Sequence, residues 1–423
     1  MADITVPLGH GMMGGAWKAV RVVDPLEVHG WVLLSDTLPI VFASLDWCEL
    51  RNEGYHDWQA ALARAAMTTP DRVMLTTVHQ HDAPVVDPGA ERLLRARRLE
   101  GSVCDPAFHQ LVLERVAAAV RRSLSDPIEV THLGHGQAQV ERVASNRRYL
   151  MPDGGVRFDR TSATRNAFAI EAGEGVIDPI LRTLSFWSGD VPLSTTSFYA
   201  VHPMSYYGQG EVSADFPGIA RRLRETQLPG CQQIYASGAS GNVTAGKYNS
   251  GARENRAVLA GRLADAMSRA WDTTRRVPIS APGFRSSAVT LPVRDSAGFD
   301  AESLEGQLRP GVAPFKQCLA AMGLSWRERV ATGRPIAVPC LDFGEAALVV
   351  LPGESYVEFQ LLAQSLRPEA MVCVAGYGDG ATGYVPTERH REEGDANLAD
   401  WCWVGPGSER NLTEALRAVL RPR

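Results

Sequence analysis

The sequence predicts a mixed α/β fold, in which β-sheets pack with helices in a single large layered body. Three observations carry that reading. Short β-prone apolar runs at 73–78, 195–201, 346–351 and 371–375 alternate with stretches of helical periodicity, notably 105–120 and 254–271. The chain has 423 residues, beyond the roughly 250–300 at which one core stops growing, so two domains or one large α/β body are the alternatives. Its composition, 45% hydrophobic and 22% charged, is that of an ordered globular protein. A Pro-, Gly- and Ser-rich stretch at 278–311 marks the best internal seam within residues 1–423.

The same composition narrows the partners and the compartment. A net charge of −5 with no long basic run disfavours nucleic acid and anionic membrane surfaces, which leaves a small molecule as the expected partner. The seven cysteines are odd in number and never form a C-x-x-C pair, so they read as buried free thiols of a reducing compartment. The first residues lack an apolar signal core and no stretch approaches 18 apolar residues, so a cytoplasmic location is expected. Large α/β proteins are often symmetric homo-oligomers, but no interface is readable here.

In chain order, residues 11–15 form a glycine-rich turn. Residues 31–34 and 40–45 read as two strands joined through 36–39, with Asp46 at the end of the second, and 56–66 reads as a helix. The run 73–78 then delivers His79 and His81 before Pro84 stops the strand. A strand places residues i and i+2 on one face, so the two imidazoles leave it side by side, as a metal site, a proton-transfer site or simply two solvated loop histidines. The arginine-rich segment 85–103 is a candidate lid or a surface helix. Asp105 and Pro106 open a helix whose apolar face is Phe108, Leu111, Val112, Val116, Ala119 and Val120. Segments 128–133 and 137–142 read as a hairpin leading to Asn146, Arg147 and Arg148.

Farther along, 183–187 and 195–201 are adjacent strands, and the second delivers His202 into a turn begun by Pro203. Asp215 opens a helix to Glu225, and strand 233–236 feeds the small-residue turn 237–244. Gly241 to Lys247 fits G-x-x-x-x-G-K, but Tyr248 replaces the Mg²⁺-binding Ser or Thr of a phosphate loop and no helix follows at once. A helix over 254–271 buries Val258, Leu259, Leu263, Ala266 and Met267; a strand covers 288–293. After the strand 346–351, Pro352 and Gly353 turn the chain and Glu354 starts a helix to Leu366, where capping alone would explain the carboxylate. The last core strand, 371–375, runs into a glycine-rich loop with Tyr377 and Tyr384, shaped like a flexible loop around something. The terminal helix covers 409–420.

Seven of these stretches, in this order, resemble the neutral/alkaline ceramidase family of zinc-dependent amidases. They are Gly11-Met12-Met13-Gly14, His79-Gln80-His81, Asn146-Arg147, His202-Pro203 after Phe198, the turn Gly241-Asn242-Val243-Thr244, Pro352-Gly353-Glu354 and Gly383-Tyr384-Val385. The resemblance implies that His79, His202, Glu354 and Tyr384 hold one Zn²⁺, leaving room for a water that attacks an amide carbonyl. It implies His81 as acid/base and Arg147 and Thr244 as groups that orient the substrate or stabilise the oxyanion. Asp82, Asn242, Tyr206 and Tyr377 are the substrate-binding candidates.

This sequence also departs from the family pattern. Thr244-Ala245-Gly246 stands where Ser-Pro-Asn is usual, Ala396 replaces a family tyrosine, and Asp82 adds a charge beside the site. The chain ends where the family's C-terminal immunoglobulin-like domain would begin. These features point to a zinc-dependent hydrolase of an amide (N-acyl) bond in a small soluble substrate other than ceramide. The alternative is a zinc-binding relative that acts on an ester or lactone, or that has no turnover.

Overall fold

The computed structural model describes residues 1–421, along which three principal β-sheets follow one another. The first is ordered β1 (Ala2–Asp3), β2 (Glu27–Leu33), β3 (Ile40–Leu45), β4 (Val73–Thr77). The second contains β5 (His132–Gln139), β6 (Ile180–Ser188), β7 (Val191–Tyr199), β8 (Gln232–Ser237) and β9 (Arg275–Pro278), in the order β8-β7-β6-β5-β9. The third is ordered β10 (Gly283–Val289), β11 (Ile336–Asp342), β12 (Ala346–Val350), β13 (Met371–Ala375). The longer helices are α1 (Asn52–Ala66), α2 (Pro88–Ala96), α3 (Pro106–Ser123), α4 (Asp215–Gln227), α5 (Asn255–Asp272), α6 (Pro314–Ala331), α7 (Val357–Ser365) and α8 (Ser408–Leu420).

The sequence holds no repeat, yet each sheet contains the same topological unit: an antiparallel strand pair, a helix, then a strand parallel to the second of the pair. The units are β2-β3-α1-β4, β6-β7-α4-β8 and β11-β12-α7-β13. The closing strands β4, β8 and β13 are almost wholly buried, as strands covered on both faces are. Their inner faces share one cluster, with Phe42 and Met74 from the first unit, Phe198 and Ile234 from the second, and Leu348 and Cys373 from the third.

The carboxyl ends of the three parallel pairs are stitched together. Thr77 N–H donates to Tyr377 O (3.0 Å), Gly376 N–H to Ser237 O (2.8 Å) and the Ser237 hydroxyl to Val78 O (2.7 Å). In open α/β sheets, sites form beyond the carboxyl ends of strands. Three such ends converge here.

Several sequence expectations change. The hairpin expected from 128–133 and 137–142 is the single strand β5. Its glycines serve close approach instead of a turn: a Cβ on Gly136 would lie 2.1 Å from the Ala270 carbonyl of α5. The segment 85–103 is no lid. Val85–Val86 pairs with Glu49–Leu50, Asp87 caps α2 through the Ala90 N–H (3.1 Å), and the buried Glu91 carboxylate accepts from Val103 N–H (2.8 Å). On α3, Leu111 is exposed and Leu113 is buried in its place, and on α5 Val258 faces solvent. Strand 288–293 begins earlier, as β10. The glycine-rich loop at 376–384 is packed, because the buried Arg51 guanidinium donates to Gly380 O and Ala381 O, both at 2.9 Å. α6 escaped the sequence reading because it is buried through Gln317, Cys318, Ala320, Met322 and Ser325, which gives no clean apolar stripe. All seven cysteines are free and buried, as expected.

Candidate metal centre

Each unit delivers one candidate ligand to the place where the strand ends meet. His79 follows β4, His202 follows β7 and Glu354 follows β12. His79 adopts a left-handed backbone (φ +71°), as does Tyr377 (φ +56°), and their rings stack at 4.2 Å. Non-glycine residues held there store strain, and such residues cluster at functional sites. Glu354 does not start a helix. It lies in the two-residue strand Glu354–Ser355, paired in parallel with Tyr384–Val385, and α7 begins only at Val357. The preceding Gly353 (φ +47°) is required by a close approach, since a Cβ would sit 2.0 Å from the Thr382 hydroxyl oxygen.

Hydrogen bonds fix the ring tautomers. His79 Nδ1 donates to Cys48 O (2.9 Å) and His202 Nδ1 to Ser240 O (2.8 Å). Both Nε2 atoms therefore turn lone pairs toward Glu354 Oε2, at 3.4 Å from His79 and 3.1 Å from His202. His79 and Glu354 are 1% exposed and His202 is fully buried, and all three of these atoms lack a hydrogen-bond partner. Three electron-rich atoms facing one another out of water repel unless a cation or a proton lies between them. Ligands at about 2.0–2.1 Å in tetrahedral geometry stand about 3.3–3.4 Å apart, which matches these separations, so the donor set fits a metal such as zinc.

Burial opposes ionisation of Glu354, but the two imidazoles outweigh it and hold the carboxyl below its usual range. Burial, reinforced by Arg147, pushes His202 down to about 4. A second group, Cys48, His79 and His81, also gathers ligand atoms within 4.8 Å. It is the poorer set, because His79 Nδ1 is already committed to a carbonyl and burial pushes the Cys48 thiol up.

The remaining expected residues divide. Tyr384, 8% exposed, pairs backbone to backbone with Glu354, and its ring lies 6.3 Å from that of His202. Its hydroxyl accepts from Arg147 Nη1 (2.7 Å); burial pushes the phenol well up and Arg147 opposes that. Arg147 is held by its own backbone N–H donating to Asn242 O (2.8 Å), and its Nε is buried without a partner. His81, 5.4 Å ring to ring from His79, is 9% exposed with Nδ1 unpartnered. Burial, then repulsion by His79 and His202, keeps it neutral well below the usual histidine value. Tyr377 walls the site, its hydroxyl 3.0 Å from His202 Nδ1 and 2.7 Å from Ser240 Oγ.

Four residues take supporting positions instead of the expected ones. The Thr244 hydroxyl donates to Thr161 O (2.7 Å), so this residue shapes the loop. Asn242 accepts from Val357 N–H (2.9 Å) and donates to Glu358 (2.9 Å), anchoring the start of α7. Asp82 is fully buried, accepts from Gly208 N–H (3.0 Å) and faces Arg256 (3.4 Å); burial pushes its carboxyl up to about 7. Tyr206 lies under Arg256, 3.8 Å from ring centroid to guanidinium. Its neighbour Tyr207 is the one against His81, at 4.8 Å.

Sequence reasoning also missed Cys48 and Glu49. The buried Glu49 carboxylate lies 3.9 Å from His79 Nδ1 and accepts from Arg51 (2.7 Å) and Trp401 Nε1 (3.1 Å). Their signal was position: they follow β3 as His79 follows the parallel β4.

The nucleotide-loop reading fails on geometry. Gly241 leads into the strand Val243–Thr244, and the Lys247 ammonium donates to Ile170 O (2.7 Å) and to Ala172 O.

No protein-family model matches the chain, and no curated protein matches it by sequence. Solved structures do. The chain is similar over its whole length to neutral ceramidase from Pseudomonas aeruginosa, with 18% identity, a TM-score of 0.70 and 74% of that protein covered. It is likewise similar to a ceramidase complexed with C2, with 16% identity, a TM-score of 0.70, and 99% of this chain and 73% of that one covered. At this identity the likeness establishes the fold, a mixed α/β architecture of ceramidase type.

Proposed function

We propose that the chain is a metal-dependent hydrolase that cleaves an amide (N-acyl) bond in a small substrate. The observation that carries this is the convergence of His79 Nε2, His202 Nε2 and Glu354 Oε2, buried and unpartnered, on one point. The ceramidase fold supports the amide as the bond cleaved. His79, His202 and Glu354 would hold the ion, Zn²⁺ by its N and O donors, with Tyr384 beside them as fourth ligand. Such an ion supplies Lewis-acid polarisation of an acyl carbonyl and activation of water near neutral pH.

The chain's own groups do the rest. His81, kept neutral by its surroundings, takes a proton at Nδ1 from the attacking water and returns it to the departing amine nitrogen. The Arg147 guanidinium, steadied by Tyr384 and by Asn397 Oδ1 (3.4 Å), faces the negative charge that develops on the acyl oxygen. Tyr207 and His81 border the approach, and the burial of every candidate ligand favours a compact substrate over a ceramide-sized one. Among the described residues no helix is long and apolar enough to cross a membrane.

The test is elemental analysis of purified protein together with hydrolysis of a panel of N-acyl amines, lactams and esters. One equivalent of zinc, lost in His79→Ala, and turnover of an amide are expected. Absence of stoichiometric metal in the wild type refutes the proposal. Bound metal with no turnover across the panel would select the non-catalytic reading.

A further inference from the structure

Away from the metal centre, a groove of about 840 Å³ runs along the outer edge of the first sheet. None of its lining residues is a candidate ligand. Its floor is β2, one wall is α3 through Val116, Ala119 and Val120, and the opposite wall is formed by residues 128–130 and 279–282.

The backbone of that floor is half unpaired. Glu27 turns both its backbone groups toward β3, accepting from Asp46 N–H (2.9 Å) and donating to the Asp46 carboxylate (3.0 Å). Alternate residues of an antiparallel strand turn their N–H and C=O to opposite sides, so Val28, Gly30 and Val32 face outward. Val28 meets β1, whose pairing ends there at Ala2. Among the described residues no strand lies beside Gly30 and Val32, so two donors and two acceptors line the groove.

We infer that this groove takes an extended peptide, which adds a strand to β2 by pairing with Gly30 and Val32. Three observations select that occupant. The donors and acceptors alternate at strand spacing, which a peptide backbone satisfies and an aliphatic chain leaves desolvated and unpaired. Both faces beside the edge are apolar, Val116 and Val120 on one side and Trp31 with Phe186 on the other, so the alternating side chains of an added strand all find apolar contacts. The groove carries Asp36, Asp126 and Glu129 against one cation, the Met1 α-ammonium at the β1 end, and no lysine or arginine, so basic residues flanking the apolar core are favoured. A second copy of this chain is a poor occupant because the edge is recessed between its two walls, out of reach of an identical recessed edge. The added strand runs antiparallel to β2, in line with Ala2–Asp3.

The experiment uses the full chain, tagged at its C-terminus, as target for a phage-displayed random dodecapeptide library. Proline suits an edge position whose N–H pairs with nothing, so Val32→Pro removes one donor while the fold and the zinc content persist; Val120→Arg, which fills the groove from α3, is the second variant. Expected are peptides with an alternating apolar core and flanking Lys or Arg, which bind at least tenfold more weakly to both variants and slow deuterium exchange across residues 29–33. No enrichment, or peptides indifferent to both substitutions, overturns the inference. Oleate that binds the groove and displaces the peptides, or self-association of the free chain that Val32→Pro abolishes, also overturns it, in favour of a lipid or a second copy respectively.

Discussion

Among single side chains, His79 and His81 show how two residues of the same type, two apart, come to lie in different surroundings. Nδ1 of His79 is committed to the Cys48 carbonyl and its Nε2 faces Glu354, whereas His81 has no carboxylate on either nitrogen. The expected consequence is a clean separation on substitution. His81→Gln should keep one equivalent of zinc and lose about 10²–10⁴-fold in kcat on whichever amide is turned over, whereas His202→Ala should lose the metal. Zinc content and steady-state kinetics measured on the same preparations check this, and loss of zinc from His81→Gln would count against the division of roles. That His79, His202 and Glu354 meet was expected from the family resemblance, since a histidine or glutamate near a strand end is locally as well explained by turn or capping roles. The supporting roles of Asp82, Asn242 and Thr244 were not legible, because their partners Arg256, Val357 and Thr161 lie 174, 115 and 83 positions away.

At the scale of elements, the sequence located strands that read as continuous buried runs, such as β3 and β4, and helices with a one-sided apolar pattern, such as α3 and α5. It misread those whose residues answer to a neighbour. β5 is the clearest example, since Gly134-His135-Gly136 has the composition of a turn and the structure of a strand. The difference can be measured by comparing two glycines. Gly136 abuts the carbonyl of Ala270 in α5, so Gly136→Val must displace a helix and should cost about 1–3 kcal/mol or more, as overpacking does. Gly261 lies inside α5 with nothing within 4 Å of an added Cβ. Gly261→Ala should therefore stabilise by about 0.5–1 kcal/mol through helix propensity. Denaturant midpoints of the two variants should move in opposite directions, and a tolerated Gly136→Val would show that the close approach is not needed.

Across the whole molecule, three ββαβ units each end at one centre, and each gives it one candidate ligand. The first two units were readable along the chain and the third only from β12 onward; their convergence was expected from the family resemblance alone, because it depends on bonds such as Thr77 N–H to Tyr377 O that join residues 300 positions apart. A metal held by this arrangement would tie the units together as well as act as a reagent. A ligand bound only by the native state stabilises it by RT ln(1 + [L]/Kd), about 2.7 kcal/mol at a hundredfold excess over Kd, so chelation should lower Tm and zinc should restore it. The distribution of the loss is the sharper readout. Hydrogen exchange should quicken together after all three parallel pairs, across 46–49 and 78–82, across 200–203 and 238–243, and across 351–355 and 376–384, with β5 and β10 unchanged. His202→Ala should reproduce that pattern without chelator and make Tm indifferent to zinc. If chelation loosened the residues around His79 alone, the ion would be held by one unit, and Glu354 and His202 would have to be explained as a buried pair without a metal.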